Sequence, residues 1–87
     1  MAVLVIPSLM RDLTGGTPSF EAEGSSVRDL IDSLDRAYPE VRGRLVEGGR
    51  LKPGLAVAVD GEISHMGIAA PVGAASTVRL LPAVEGG

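Results

Sequence analysis

The chain has 87 residues, no cysteine, two aromatic side chains (Phe20 and Tyr38) and a net charge of −3. That length suits one domain with an aliphatic core, and the lack of cysteine excludes thiol nucleophiles, disulfides, iron–sulfur ligation and sulfur carried on a side chain. Scattered basic residues argue against nucleic-acid binding, no apolar run approaches the roughly 18 residues of a membrane span, and the start lacks the basic region of a signal peptide, so a soluble cytoplasmic protein is expected.

Val3-Leu4-Val5-Ile6 is an unbroken apolar run closed by Pro7. It reads as a strand with both faces at least partly covered. Ser8 to Leu13 is ambiguous, and Thr14-Gly15-Gly16-Thr17-Pro18 is a turn. Ser19 to Glu23 alternates, with Phe20 and Ala22 on one side and Glu21 and Glu23 on the other, which predicts a second strand with one wet face.

Ser26 then stands as a helix N-cap with Asp29 three residues on, a capping-box arrangement with Asp in place of the usual Glu. Val27, Leu30, Ile31 and Leu34 follow helical spacing, and Tyr38 extends the stripe. Asp32 and Arg36 are spaced to pair along the outer face. Pro39 ends the helix by disfavouring helical geometry at Tyr38.

Glu40 to Val46 fits another short helical turn, and Glu47 to Gly54 reads as loop. Leu55 to Val59 is a third strand, and Asp60-Gly61 is a tight-turn signal leading to a short strand around Glu62-Ile63-Ser64. His65 to Ser76 is small and flexible in composition. Val78 and Leu80 alternate with Arg79 in a last strand, where Pro82, with no N–H to donate, should end the pairing.

The order is strand, strand, helix, strand, short strand, strand. The most apolar strands, the first and the last, belong side by side and parallel in the centre. This is the α+β arrangement of the β-grasp, or ubiquitin-like, fold: a mixed sheet of four to five strands with one main helix across one face. Residues 1–82 form that domain, and 83–87 are read as a flexible tail ending in Gly86-Gly87. Diglycine has almost no bulk and wide backbone freedom, so such an arm can thread a narrow channel. Its terminal carboxylate is a poor electrophile until activated, for example by adenylation.

The ending Leu80-Leu81-Pro82-Ala83-Val84-Glu85-Gly86-Gly87, together with the element order, resembles the bacterial sulfur carriers, the ubiquitin-like family that includes MoaD, ThiS and CysO. Ile6-Pro7, Arg11 and Thr14-Gly15-Gly16 look like the amino-terminal segment of the CysO branch. The segment from Glu40 to Leu55 matches only loosely, and Glu85 stands where these carriers commonly have a small residue. The resemblance implies a protein co-substrate rather than an enzyme. Gly87 would be adenylated by an ATP-using, ubiquitin-activating-like enzyme and converted to a thiocarboxylate. Pro82, Ala83, Val84, Glu85, Gly86 and Gly87 would enter a partner's active site.

In CysO-type systems the sulfur goes to the aminoacrylate of a pyridoxal-phosphate cysteine synthase, and a zinc-dependent peptidase releases the cysteine. In the MoaD branch the thiocarboxylate instead enters the large subunit of molybdopterin synthase. No cofactor would be bound by this chain: ATP, pyridoxal phosphate and zinc belong to the partners. The cysteine branch is favoured, with the molybdopterin role and a never-activated ubiquitin-like binding module as alternatives.

The remaining candidates are weaker. His65, the only histidine, has no nucleophile or acid spaced for catalysis. Asp29, Asp32 and Asp35 recur on a helix but are flanked by Arg28 and Arg36, as on a solvated face, so no metal site is expected. Neither Gly15-Gly16 nor Gly48-Gly49 is followed by the Lys-Ser/Thr of a phosphate loop. Lys52, the only lysine, is either a self-acylation site for an activated terminus or an ordinary surface residue. If Val78 and Leu80 face the helix, Leu81 lies on the opposite sheet face. There it is expected to form an apolar docking patch with Leu4 or Ile6.

Overall fold

The computed structural model describes residues 1–82. The expectations for Ala83, Val84, Glu85, Gly86 and Gly87 lie outside the described residues. In chain order the elements are β1 (Ala2–Val5), a 3-10 helical segment (Ser8–Thr14), β2 (Ser19–Ala22), α1 (Val27–Ala37) and α2 (Val41–Leu45). There follow β3 (Val46–Glu47), β4 (Arg50–Leu51), β5 (Leu55–Val59), β6 (Glu62–Ser64), a 3-10 turn (Gly67–Ala69) and β7 (Thr77–Pro82). The main sheet has the order β2-β1-β7-β5-β6. β1 and β7 are parallel, with Leu4 opposite Val78, while β5 is antiparallel to β7, with Val57 opposite Leu80. This is the β-grasp expected from the element order.

Strand alternation sorts the sheet into two faces. Ala2, Leu4 and Ile6 from the first strand and its continuation join Ala22, Val57, Val78 and Leu80 in the core. Val27, Leu30, Ile31 and Leu34 of α1 close over them, all at most 1% exposed. Val41 and Leu45 of α2 extend the same core. Phe20 and Tyr38 pack edge to face at its margin, ring centroids 6.3 Å apart.

The start of α1 is fixed in two steps. The Ser26 hydroxyl accepts from the Asp29 amide at 3.4 Å, while the Asp29 carboxylate accepts from the Ser25 amide at 2.9 Å. The carboxylate thus reaches one residue beyond the N-cap, instead of to the N-cap amide of the usual capping box. Gly24 permits this: a Cβ there would lie 2.5 Å from the Asp29 Cβ.

Several local expectations are corrected. Ser8 to Thr14, ambiguous in sequence, is 3-10 helical and is tied to the end of β1 by Arg11, whose Nε donates to the Ile6 carbonyl at 3.2 Å. Glu47 to Gly54 is not all loop. Gly48 and Gly49 both have positive φ and turn β3 back on β4, with Val46 opposite Leu51. Asp32 pairs with Arg42 of α2 and not with Arg36, because α2 brings a guanidinium against the outer face of α1. His65 to Ser76 is also less free than its composition suggests. Ile68 and Ala70 are buried, the Val27 amide donates to the Ala70 carbonyl, and the Val72 amide donates to the Ser25 carbonyl.

Candidate functional site

The sheet face turned away from α1 carries no covering element among the described residues. Its side chains follow from the register. Val3 stands opposite Thr77, Val5 opposite Arg79, Arg79 opposite Ala58, Ala58 opposite Ile63, and Ala56 opposite Leu81. Val3, Val5, Ala56 and Leu81 are half-buried, and Ile63 is 63% exposed. Ala58, flanked by Arg79 and Ile63, is nearly enclosed. The result is an aliphatic patch with one exposed guanidinium, Arg79, at its middle and Glu21 at its edge.

Leu81 is on this face, as expected. Leu4 and Ile6 are not: they are 0% and 2% exposed, inside the core with Val78 and Leu80. The reason is register. Parallel pairing sets Leu4 beside Val78, and paired residues share a face. The residues of β1 that accompany Leu81 are therefore Val3 and Val5, the odd positions of a run in which every residue is apolar and periodicity alone cannot choose a face.

β7 runs beside β5 as far as Pro82, which stands opposite Leu55 as the last register pair. Leu55 also closes the turn Lys52-Pro53-Gly54-Leu55, its amide donating to the Lys52 carbonyl at 3.1 Å. Proline at the second position and Gly54 at φ 89° make this a type II turn. Lys52 is held on its other side by its own amide, which donates to the Leu45 carbonyl at 2.9 Å. The tail root and the only lysine of the chain are thus joined through one rigid turn.

A groove of about 480 Å³ opens next to the root. Leu51, Leu55, Met66 and Ile68 give it apolar walls, Arg28 and Arg50 add positive charge, and His65 stands exposed among its lining. The sequence hid this groove because its far wall is the short β3–β4 hairpin. The Gly48-Gly49 pair was its signal, since glycine pairs suit two-residue hairpin turns.

The acidic repeat on α1 is committed to local bonds. Asp29 caps the helix, Asp32 pairs with Arg42, and Asp35 accepts from the Arg42 amide at 3.2 Å. Among the described residues no three His, Cys, Asp or Glu groups stand together to hold a metal. Backbone donation from Ser25 first, then the hydroxyls of Ser25 and Ser26 and the Ser26 backbone, holds the Asp29 carboxyl below the ordinary range. No helix among the described residues is long and apolar enough to cross a membrane.

The model of the ThiS family matches residues 4–87. The sulfur carrier protein CysO of Mycobacterium tuberculosis is 31% identical over 87 residues, covering 94% of each chain. Small archaeal modifier protein 3 of Haloferax volcanii is 34% identical over 67 residues, covering 75% of this chain and 73% of its own. Among solved structures, the Amycolatopsis orientalis BexX/CysO complex contains a chain that superimposes with a TM-score of 0.90 at 34% identity, each chain covered completely. A matched family model running through nearly the whole sequence, and a relative similar over 94% of both chains, place this protein: it belongs to the ThiS family, with CysO among its relatives.

Proposed function

We propose that the chain is a sulfur carrier protein, and that it serves cysteine biosynthesis. The similarity to CysO along 94% of both chains carries this reading. The geometry supports it: the domain offers an open aliphatic face for docking, and Pro82, the last described residue, stands beside Leu55 at the end of β7.

The reacting group is the Gly87 carboxylate. Its oxygen attacks the α-phosphorus of ATP on a ubiquitin-activating-like enzyme, and pyrophosphate leaves. A sulfur nucleophile then attacks the acyl carbon, AMP leaves, and a thiocarboxylate results. The chain itself supplies no acid, base or metal, and binds no cofactor. The partners supply ATP, pyridoxal phosphate and zinc: an adenylyltransferase, a cysteine synthase that accepts the sulfur, and a peptidase that releases the product. The segment from Pro82 to Gly87 enters their active sites, while Val3, Val5, Ala56, Ile63 and Leu81 meet their surfaces.

Intact-protein mass spectrometry of the chain from its own host tests the reading. Exchange of one oxygen for sulfur, localised to Gly87, is the expected result, and a cysteinyl adduct there selects the cysteine branch. A plain carboxylate after incubation with ATP, sulfide and the host's activating enzyme would overturn it. A residue appended after Gly87 should abolish the carrier activity and leave docking unchanged.

A further inference from the structure

We propose that the groove beside β6 binds an extended acidic peptide of a partner protein, a segment with aliphatic side chains set between carboxylates. Carrier chemistry plays no part in this, since every residue involved belongs to the described domain.

The groove exists because β6 is short. β7 pairs with β5 along all of Leu55–Val59, whereas β6 pairs only with Val57, Ala58 and Val59. After Ser64 the chain leaves the sheet and enters the 3-10 turn at Gly67. Leu55 and Ala56 therefore have no strand on the β6 side among the described residues, and they line the groove with Ser64 and Met66. Leu51 of the β3–β4 hairpin stands across from them. The volume of about 480 Å³ falls within the range of ligand clefts, about 300–1,000 Å³. A strand edge that stops beside an open trough suits an extended segment, since unpaired edges accept added chain.

The lining sets the chemistry of that segment. Large exposed apolar side chains concentrate here: Ile63 is 63% and Met66 is 59% exposed. Arg28 of α1 and Arg50 of β4 add two exposed guanidiniums, and neither is in an ion pair among the described residues. Glu47, opposite Arg50 in the hairpin, makes none with it. His65 is a further basic group, and no described Asp or Glu lines the groove. In a chain of net charge −3 this is a local reversal of sign. An apolar centre with a basic rim is complementary to aliphatic residues flanked by carboxylates.

A compact anion would engage the guanidiniums and leave Leu55, Ile63 and Met66 uncovered. A peptide of the stated kind covers both. Ala56 and Ile63 also belong to the open sheet face, so one partner can cover face and groove together.

The test is an NMR titration of the full, isotope-labelled chain with the peptide acetyl-Glu-Glu-Ile-Leu-Glu-Glu-amide. Saturable amide shifts at Leu51, Ser64, Met66 and Ile68 are expected, and the affinity should fall as salt is added. Glutamine in place of the glutamates, or Gly-Gly in place of Ile-Leu, should each weaken binding about tenfold. Arg28→Glu combined with Arg50→Gln should weaken it at least about tenfold, because two exposed ion pairs are lost. An acidic residue is favourable in the first turn of α1, and matching thermal unfolding of variant and parent shows that the fold is intact. Met66→Gln, an exposed substitution far smaller in charge effect, should weaken binding with no change in its salt dependence. Absence of saturable shifts, shifts confined to Val3, Val5 and Leu81, undiminished affinity in the arginine variant, or the same shifts from inorganic phosphate would overturn the proposal. Failure of adenylation at Gly87 would count against the carrier reading and leave this result standing.

Discussion

Leu4 and Leu81 belong to the same sheet but to opposite faces: Leu4, beside Val78, is fully enclosed, and Leu81, beside Ala56, is half-exposed. Truncating the first creates a cavity. Leu4→Ala should cost about 2–5 kcal/mol in thermal or denaturant unfolding. Leu81→Arg should change stability by only about 0.5 kcal/mol, in the range of surface substitutions. It should still weaken capture by the activating enzyme at least tenfold, read by calorimetric titration, since replacing an apolar contact with a second, unpaired guanidinium beside Arg79 costs about 1.4 kcal/mol or more. Equal loss of stability in both variants would contradict the two-face assignment.

The cap of α1 should be sensitive to pH. The Asp29 carboxyl is held below its ordinary value by donors that the unfolded chain lacks. Its contribution to stability is therefore present above the unfolded value of about 4 and is lost as pH falls through the lower, folded value. Asp29→Ala should unfold at a lower temperature than the parent chain near neutrality, and the gap should narrow as the pH falls below about 4. Ser26→Ala removes the partner acceptor and should cost about 1 kcal/mol. Gly24→Ala should mimic loss of the Asp29 cap, because its Cβ would meet the Asp29 Cβ at 2.5 Å.

Asp60 ties the β5–β6 turn to the start of β7. Its carboxylate accepts from the Thr77 amide and the Ser76 hydroxyl, both at 2.9 Å, and its amide donates to the Thr77 carbonyl at 2.8 Å. Its φ is 51°, in the left-handed region that Asn also tolerates. Asp60→Ala should lose both acceptor contacts and cost about 1–3 kcal/mol. Asp60→Asn should recover part of that in the same denaturant titration.

Arg42 offers the opposite expectation. Its ion pair with Asp32 is close, yet its side chain is 48% exposed and that of Asp32 is 32% exposed. Solvent screens such a pair, so Asp32→Asn should cost no more than about 1 kcal/mol, and the cost should shrink with added salt.

Much of the fold was legible because its signals are local. Asp60-Gly61 demanded positive φ at both positions, and both have it. The α1 stripe of Val27, Leu30, Ile31 and Leu34 could be buried only together. Val78, Arg79 and Leu80 alternated, so their faces could be read directly. Val3 to Ile6 did not alternate, and its faces were set by a partner more than seventy residues away. Arg42 likewise found Asp32 through the packing of two helices, which spacing along one helix cannot reveal. The open aliphatic face was thus half visible: Leu81 followed from its own strand, while Val3 and Val5 awaited the register.

Because β7 is the strand shared by both hairpins, it is also the keystone of the folding reaction. β1–β2 and β5–β6 can each form from neighbours in sequence, but neither has a common sheet to join until Thr77–Pro82 arrives between them. Contacts across such long sequence separations make for slow, all-or-none assembly. A chain cut or halted before Thr77 would leave two open-edged hairpins prone to pair with other molecules. Any chain that has completed this sheet therefore already holds Thr77–Pro82 in place between its two hairpins.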